Sequence, residues 1–212
     1  MSCCPNGLDD VFTEKFSRRD AKRYRKRGLP GRARRLLRAL ESVTSLKELR
    51  TLEVGAGAGA VTVEMLRRGA QHATAVDAVA AQLDSARRLA EEFSVGDRAE
   101  FVLGDFIETD VPNADVVVMD RVVCCYPDWR TLLSHAADRA DTAIVMSYPR
   151  ANLPLRIVHR LMDLWWVIVR SEFRFYVHSI EDMRKLLELK GFRSRVVGHY
   201  FWWEILVAQR SA

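Results

Sequence analysis

The sequence predicts an α/β domain with a doubly wound, mostly parallel β-sheet of seven strands. Three observations support this prediction: the length of 212 residues, the alternation of short apolar strands with amphipathic helical stretches from Thr51 onward, and the glycine-rich turn at residues 55–59. A chain of this length forms one domain with a substantial core more readily than two domains. The alternation is typical of βαβ units, which place parallel strands side by side.

The central part of the chain is predicted as five parallel strands joined by helices. Apolar runs bounded by turn residues indicate the strands, and apolar positions spaced by 3.6 residues indicate the helices. We expect strands at Arg50–Val54, Ala73–Asp77, Ala99–Leu103, Asp115–Asp120 and Thr142–Ser147, and helices at Ala58–Arg68, Val79–Phe93 and Trp129–Arg139.

Both ends of the chain depart from this alternation. One N-terminal helix is expected over Leu8–Arg27, ended by Gly28 and Pro30, and a second over Arg32–Val43. The C-terminal part predicts two helices and then an antiparallel hairpin, at Leu155–Val169, Ile180–Leu189, Ser194–Phe201 and Glu204–Arg210. We therefore expect a single domain over residues 1–212, with residues 1–46 as a helical cap and residues 47–212 as an α/β core.

Composition and charge restrict the class of protein. Hydrophobic residues make up 49% of the chain and charged residues 29%, as in globular domains. We see neither a signal-peptide pattern nor an apolar run near the roughly 18 residues of a membrane span, and so expect a cytoplasmic protein. The net charge is +5, and residues 1–40 hold 12 Lys/Arg against 4 Asp/Glu. Such a basic segment is either a solvated helix face or a surface that attracts nucleic acid, anionic lipid or an acidic substrate.

The four cysteines form two adjacent pairs, Cys3-Cys4 and Cys124-Cys125. Neither pair has the two-residue separation typical of zinc knuckles. If the fold brought the two pairs together, they could bind a soft metal, but neighbouring side chains in a strand point to opposite faces, which opposes shared coordination. We therefore expect free thiols and no metal.

The strongest local signal is the run Glu53-Val54-Gly55-Ala56-Gly57-Ala58-Gly59 at the end of the first core strand. Glycines let the backbone turn tightly and approach a ligand closely, and the following helix N-terminus presents free N–H groups. A nucleoside-bearing cofactor fits this turn. The turn alone also satisfies the dinucleotide fingerprint, so it leaves both NAD and S-adenosylmethionine (SAM) open.

Acidic residues at the ends of the next two strands help to distinguish between NAD and SAM. Asp77 ends the second strand, where a carboxylate can accept both hydrogen bonds of a ribose diol, as either cofactor requires. At the end of the third strand, we expect Asp105 to accept a hydrogen bond from an adenine amino group and Phe106 to cover the ring. This last feature favours SAM.

With these features in this order, the chain from about Leu52 to Arg210 resembles the class I SAM-dependent methyltransferases. The resemblance implies a Rossmann-like sheet with an antiparallel last strand, SAM as methyl donor and S-adenosylhomocysteine as product. It also implies that Glu53 and Asp120 lie at the methionine end of the cofactor, and by analogy the N-terminal helices would close over the pocket. The cofactor-binding residues that we expect are Glu53, Gly55, Ala56, Gly57, Asp77, Ala78, Asp105, Phe106, Asp120, Arg121 and Tyr24.

The methyl acceptor is expected beyond the fourth strand, at the loop Arg121–Asp128, because ligands of open α/β sheets bind at the carboxyl ends of the strands. A base is needed only if the acceptor carries a proton at attack, and Tyr126 and His178 are the candidates. The apolar Leu155–Val169 segment is interpreted as a core helix, a lid over the acceptor or a dimer interface. With the nearby aromatic residues, it predicts a small, largely apolar or aromatic acceptor that is methylated on oxygen by a monomer or homodimer.

The C-terminal half is also loosely similar to the magnesium-protoporphyrin O-methyltransferases. The similarity lies in Tyr126-Pro127, Tyr148-Pro149, Tyr176-x-His178 and Gly191-Phe192, and it suggests a large planar acceptor. That family carries His-Tyr-Pro where this chain has Cys125-Tyr126-Pro127. The chain further resembles uncharacterised bacterial methyltransferases that share the cysteine pair near the start and this loop.

Two other functions stay open at this point. The basic N-terminal segment suggests methylation of RNA or another nucleic acid, but the loop after the fourth strand lacks the Asn/Asp-Pro-Pro-aromatic run typical of enzymes that methylate flipped bases, so a nucleic-acid partner is disfavoured. A SAM-binding protein without catalysis is the second alternative.

Overall fold

The computed structural model describes residues 7–150 and 172–211 of the chain. Its strands are β1 (Arg50–Val54), β2 (His72–Asp77), β3 (Ala99–Leu103), β4 (Ala114–Asp120), β5 (Ala140–Pro149), β6 (Phe192–Tyr200) and β7 (Trp203–Arg210). They form one seven-stranded sheet in the order β3-β2-β1-β4-β5-β7-β6. Strands β1 to β5 pair in parallel, while β7 runs antiparallel to β5 and β6. The predicted fold class and the closing hairpin are confirmed.

The helices are α1 (Leu8–Val11), α2 (Glu14–Arg27), α3 (Gly31–Glu41), α4 (Ala60–Arg67), α5 (Ala80–Glu92), α6 (Trp129–Arg139) and α7 (Ile180–Leu189). Short 3-10 turns lie at Gly96–Arg98 and Val123–Cys125. In the described ranges, no helix combines the length and the apolar character that crossing a bilayer requires. The helix predicted at Leu155–Val169 lies outside the described residues.

The prediction of one continuous helix over Leu8–Arg27 is wrong. The first helix ends at Val11, and α2 begins only at Glu14. Thr13 between them has an extended backbone, and its hydroxyl oxygen accepts a hydrogen bond from the backbone N–H of Phe16. A threonine in this position caps a new helix more favourably than it continues an old one, because it satisfies an otherwise unpaired N–H.

Helices cover both faces of the sheet, as a mostly parallel sheet requires. Successive residues of β4 alternate between the two faces, so Val116 and Val118 pack with α3 and α4, while Val117 and Met119 pack with α6 and α7. The helix α3 contributes Leu36, Leu37 and Leu40, which are all fully buried. The N-terminal helices are therefore part of the same core as the sheet.

The strand order determines which edge of the sheet carries a ligand-binding crevice. From β1 the chain builds toward β2 and β3, and from β4 it builds the other way, toward β5. Such a reversal leaves a crevice between the loops that follow the two central strands. The glycine turn follows β1 and the Arg121–Asp128 loop follows β4, so both lie at this crevice.

Candidate active site

A cavity of about 370 Å³ opens at the carboxyl ends of the central strands. This volume falls within the range of small-molecule pockets. Most of the residues expected from the sequence line it: Tyr24, Glu53, Gly55, Ala56, Gly57, Asp77, Ala78, Phe106, Asp120, Arg121 and Tyr126. Asp105 and His178 are not part of this lining.

The glycine turn is fixed to its neighbours by close packing and hydrogen bonds. Gly55 and Gly57 have φ angles of +69° and +55°, a backbone region that residues other than glycine rarely adopt. A Cβ at Gly55 would lie 2.6 Å from Cγ2 of Val122, in the loop after β4. The two loops that border the crevice therefore touch because position 55 has no side chain.

Asp77 joins the end of β2 to the glycine turn. Its carboxylate accepts hydrogen bonds from the backbone N–H of Gly57 at 2.8 Å and of Val79 at 2.9 Å. Each carboxylate oxygen can accept more than one hydrogen bond, so the group can hold a ribose diol while these contacts persist.

Asp105 lies between two residues of the cavity lining, Gly104 and Phe106, and its carboxylate accepts two hydrogen bonds from the protein. The Tyr126 hydroxyl donates to its Oδ1 at 2.7 Å, and the backbone N–H of Ile107 donates to the same atom at 3.2 Å. Its other oxygen, Oδ2, is buried and has no hydrogen-bond partner among the described residues. A buried acceptor of this kind is costly unless a ligand supplies the donor, and an adenine amino group has that chemistry.

Two further side chains, Phe106 and Gln82, lie at the end of the cavity where the adenine is predicted to bind. The Phe106 ring is buried, with its centroid 6.2 Å from that of His135, so the ring is anchored in the core while the residue also lines the cavity. Gln82 on α5 lines the cavity too, and its buried Oε1 is without a hydrogen-bond partner within the described ranges. Gln82 was not predicted, because a polar residue on a helix that is otherwise amphipathic gives no signal of its own.

Glu53, at the predicted methionine end, is buried with its carboxylate facing Thr62, whose hydroxyl donates to it. Burial raises the pKa of Glu53 to about 8, and the negative charges of Asp120 and Asp77 act in the same direction. The carboxyl is therefore largely protonated at pH 7. A cation that binds beside it would favour the ionised form.

Asp120 is held by an arginine of the N-terminal cap. Arg32 donates to both carboxylate oxygens, with Nε–Oδ1 and Nη2–Oδ2 distances of 2.7 Å, and Ser147 Oγ donates to Oδ1 at 2.6 Å. Burial alone would raise the pKa of Asp120, but the hydrogen bonds and charge of Arg32 hold it below its ordinary value. The guanidinium also lies 5.6 Å from the ring centroid of Trp203.

Arg32 was missed when the arginines of this segment were interpreted only as a basic cluster. The buried positions Ala33, Leu36, Leu37 and Leu40 define the inner face of α3, and Arg32 is four residues before Leu36. Helical residues four apart share a face, so the periodicity already places Arg32 on the buried side.

The two candidate bases make structural contacts around the loop after β4. Tyr126 donates its hydroxyl to Asp105, as described above. His178 Nε2 lies 2.9 Å from the Tyr126 carbonyl oxygen and 3.1 Å from that of Val123, and since both are acceptors we assign the ring proton to Nε2. Burial lowers the pKa of His178, so the ring is neutral at pH 7. Its hydrogen bonds stabilise the loop. Their catalytic role stays a prediction.

Tyr24 reaches the cavity from α2. Its hydroxyl donates to Glu64 Oε2 at 2.8 Å and accepts from Arg67 Nη1 at 3.3 Å. Burial raises the pKa of Tyr24 to about 12, and the phenol stays protonated. The residue therefore joins the cap to α4, and its contact with a cofactor stays a prediction.

The Cys124-Cys125 pair also lines the cavity, and both thiols are free. The expectation that adjacent cysteines diverge assumed a strand, but they lie in the 3-10 turn Val123–Cys125. Successive residues of a 3-10 helix are rotated by about 120° rather than 180°. The two Sγ atoms are 4.0 Å apart as a result.

Comparisons with known proteins agree with this geometry. Residues 51–140 match the model of a methyltransferase domain family. No match was found among curated proteins. The structure of magnesium protoporphyrin IX methyltransferase from Synechocystis PCC 6803, with bound S-adenosylhomocysteine, is 20% identical with a TM-score of 0.70, and the match covers 96% of this chain and 100% of that one.

Two larger proteins are similar over most of this chain. An O-methyltransferase family protein from Burkholderia thailandensis is 15% identical with a TM-score of 0.70, covering 95% of this chain and 64% of that one. An O-methyltransferase family 2 protein from Planctomyces limnophilus, in complex with apigenin, is 18% identical with a TM-score of 0.70, covering 93% and 62%. The chain therefore contains a methyltransferase domain over residues 51–140, and the glycine turn, Asp77, Asp105 and Asp120 all lie within it.

Proposed function

We propose that the protein transfers the methyl group of SAM to an oxygen atom of a small, largely apolar or aromatic acceptor. The observation that supports this most directly is the aromatic part of the cavity lining. Phe12, Phe16, Phe173, Phe175 and Trp203 line the same cavity as the glycine turn. Aromatic side chains bury a large area and stack on flat rings, so they favour an aromatic acceptor over a strongly hydrated one.

SAM would bind along the loops that follow the central strands. In this proposal, the Asp105 carboxylate faces the adenine amino group, Asp77 holds the ribose diol, and the glycine turn approaches the cofactor without side chains. Glu53 and Asp120 take the methionine ammonium group. When bound, SAM supplies a methyl group on a positively charged sulfur, which leaves as the neutral thioether of S-adenosylhomocysteine.

The role of the protein in this reaction is alignment and exclusion of water. In a direct displacement the acceptor oxygen, the methyl carbon and the departing sulfur lie in one line, and holding that line can supply much of the rate enhancement. The Tyr126 hydroxyl already donates to Asp105, and His178 Nε2 faces two carbonyl oxygens. This geometry favours an acceptor oxygen that arrives ionised, as a carboxylate or an acidic phenol does.

The charges of the cap support an anionic acceptor. Arg19 and Arg23 of α2 line the cavity. Arginine recognises carboxylate groups through its planar fork of N–H donors. We also propose that residues 1–46 act as a cap on the 47–212 core within one domain, since Tyr24 and Arg32 both bond to residues of that core.

The names of the similar structures agree with this acceptor class. They include a magnesium protoporphyrin IX methyltransferase, a mitomycin 7-O-methyltransferase and an O-methyltransferase family 2 protein in complex with apigenin. Those names describe those proteins, and the acceptor of this chain is our proposal.

Nucleic acid is the second candidate acceptor, suggested by the basic face of α2. Two arginines of that face are already paired, Arg18 with Glu14 and Arg25 with Glu92, each at 2.6 Å. These pairs interrupt the run of positive charge that phosphate binding requires. We therefore rank a small acceptor first.

The test begins with the cofactor and then separates the acceptors. Calorimetry with SAM, S-adenosylhomocysteine and NAD should show binding of the first two. Transfer of label from methyl-labelled SAM is then measured with three pools: aromatic carboxylic acids, phenols and RNA. Label in either aromatic pool supports the proposal, whereas salt-sensitive label in RNA alone would favour the second candidate. Tight SAM binding with no transfer to any pool would indicate a SAM-binding protein without catalysis.

A further inference from the structure

Two thiols converge on one backbone oxygen at the wall of the cavity. Cys124 Sγ lies 3.3 Å and Cys125 Sγ 3.7 Å from the carbonyl oxygen of Arg121, and the two sulfurs are 4.0 Å apart. Both residues line the cavity. The backbone of this turn is fixed, because His178 bonds to the carbonyl groups of Val123 and Tyr126 on either side of the pair.

This separation matches a two-sulfur chelate. Two bonds of about 2.3 Å from sulfur to a central atom, at a tetrahedral angle, span roughly 3.8 Å between the sulfurs. The observed 4.0 Å is within about 0.2 Å of that span. A trivalent arsenic centre is pyramidal, with an S–As–S angle smaller than the tetrahedral one, so its two sulfurs lie closer together than about 3.8 Å. Rotation about the cysteine side-chain bonds would bring the two thiols to that separation.

The surroundings favour one thiolate beside one thiol. The hydrogen bond from Cys124 and the charge of Arg121 lower the pKa of Cys125, while burial raises the pKa of Cys124. The thiolate is the reactive form of cysteine.

The ligand set limits which soft centre fits. Among the described residues, no group of three or more His, Cys, Asp and Glu side chains is arranged to hold a metal ion. A soft metal ion such as zinc usually takes four ligands, so the two cysteines alone supply too few ligands for it. A trivalent arsenic atom that carries one organic group needs only two thiolates.

We propose that Cys124 and Cys125 form a dithiol site for trivalent arsenicals with one organic substituent, inside the methyltransferase cavity. Binding of a compound R–As=O forms two As–S bonds and breaks the bond to oxygen. Both thiol protons leave with that oxygen as one water molecule, and arsenic stays trivalent, so no oxidant or reductant takes part. The product carries no charge, which suits an apolar wall.

The adduct would occupy space that the proposed cofactor site needs. Cys125 lies on the wall of the cavity in which Asp77 is proposed to hold the ribose of SAM. Both residues line the same cavity. We therefore expect the arsenical and SAM to exclude each other.

The test uses phenylarsine oxide on the full-length Cys3→Ser/Cys4→Ser variant, which keeps only the proposed pair. One equivalent should bind, the number of titratable thiols should fall by two, and an added dithiol should reverse the binding while a monothiol should not. Cys124→Ser and Cys125→Ser, each made in the same background, should lower the affinity at least 100-fold. Cys125→Ala is a second check if Cys124→Ser fails to fold.

Several outcomes of this experiment would overturn the proposed dithiol site. Binding of one equivalent that persists in both serine variants, or the absence of binding to the parent, would overturn it. Binding of Zn²⁺ or Cd²⁺ with loss of two protons, and none of phenylarsine oxide, would replace it with a metal site. Because SAM affinity is measured separately by calorimetry, failure of the dithiol site is distinguishable from failure of the proposed methyl transfer.

Discussion

The two sides of the cavity are built in different ways. On the cofactor side, the glycine turn, Asp77 and Asp105 follow β1, β2 and β3 in order, each at a strand end. On the acceptor side, the wall combines residues from α1, α2 and α3, the loop after β4, the 172–176 segment and β7. A βα repeat thus generates the cofactor side from local sequence, whereas the acceptor side exists only once distant segments meet.

Arg32→Ala tests the junction between the two sides and should have the largest effect on stability. It would leave the Asp120 carboxylate, whose side chain is only 10% exposed, without its cation. Breaking one partner of a buried pair typically costs about 3–5 kcal/mol of unfolding free energy. Urea denaturation measures this change. Arg38→Ala, on the exposed face of the same helix, should change stability by less than about 0.5 kcal/mol, and an equal loss in both variants would contradict the buried pair.

Asp77→Ala tests the cofactor side. It removes the carboxylate proposed to accept from the ribose diol and also frees the N–H of Gly57. Loss of hydrogen bonds to a charged group should weaken SAM binding by about 1.5–3 kcal/mol, or roughly 10- to 150-fold. Calorimetry provides the measurement, with the exposed Asp84→Ala as control. Unchanged SAM affinity in Asp77→Ala would remove Asp77 from the cofactor site.

Glu53→Gln tests the buried carboxyl between the two sides. The pKa of Glu53 is about 8 in the folded protein, above the ordinary value of 4.5, so the folded state holds an extra proton between these values. Wild-type stability should therefore fall as pH rises through this window and level off above pH 8. Between pH 6 and pH 8, Glu53→Gln should gain about 2 kcal/mol relative to the wild type.

Urea midpoints at pH 6, 7 and 8 measure this slope. Glu91→Gln, at an exposed position, should follow the wild type at every pH. Parallel pH profiles for wild type and Glu53→Gln would mean that Glu53 is ionised throughout.

Tyr126→Phe should have the smallest effect and decides between two roles for that residue. If the hydroxyl only orients Asp105, its loss should weaken SAM binding by about 1 kcal/mol and leave kcat nearly unchanged. If it is a general base, kcat should fall by about 10²- to 10⁴-fold. Steady-state kinetics with an acceptor from the screen gives both numbers. Tyr148→Phe, which removes a buried hydroxyl outside the cavity lining, is the matched control.

The same contrast explains what could be predicted from the sequence. The ends of β1 and β3 were predicted to the residue, because Gly55 directly follows β1 and Gly104-Asp105 directly follows β3. The Arg32–Asp120 pair could not be predicted, since no local pattern specifies which of many arginines faces which carboxylate. The position of Trp203 in the cavity wall could not be predicted either. The cysteine geometry was missed because the turn after β4 was treated as extended, although Pro127 two residues later already marks a change of backbone.

The bonds between the 172–178 segment and the loop after β4 have a consequence for how the protein folds. Tyr176 N donates to the Cys124 carbonyl oxygen at 2.8 Å, and the His178 contacts link residues 52 and 55 positions apart. Contacts between residues far apart in sequence form more slowly than local ones, because a long loop must close first. During synthesis, the β1–β3 half can assemble while the ribosome is still adding residues. The acceptor wall must wait for the last fifth of the chain, so the cavity is completed late.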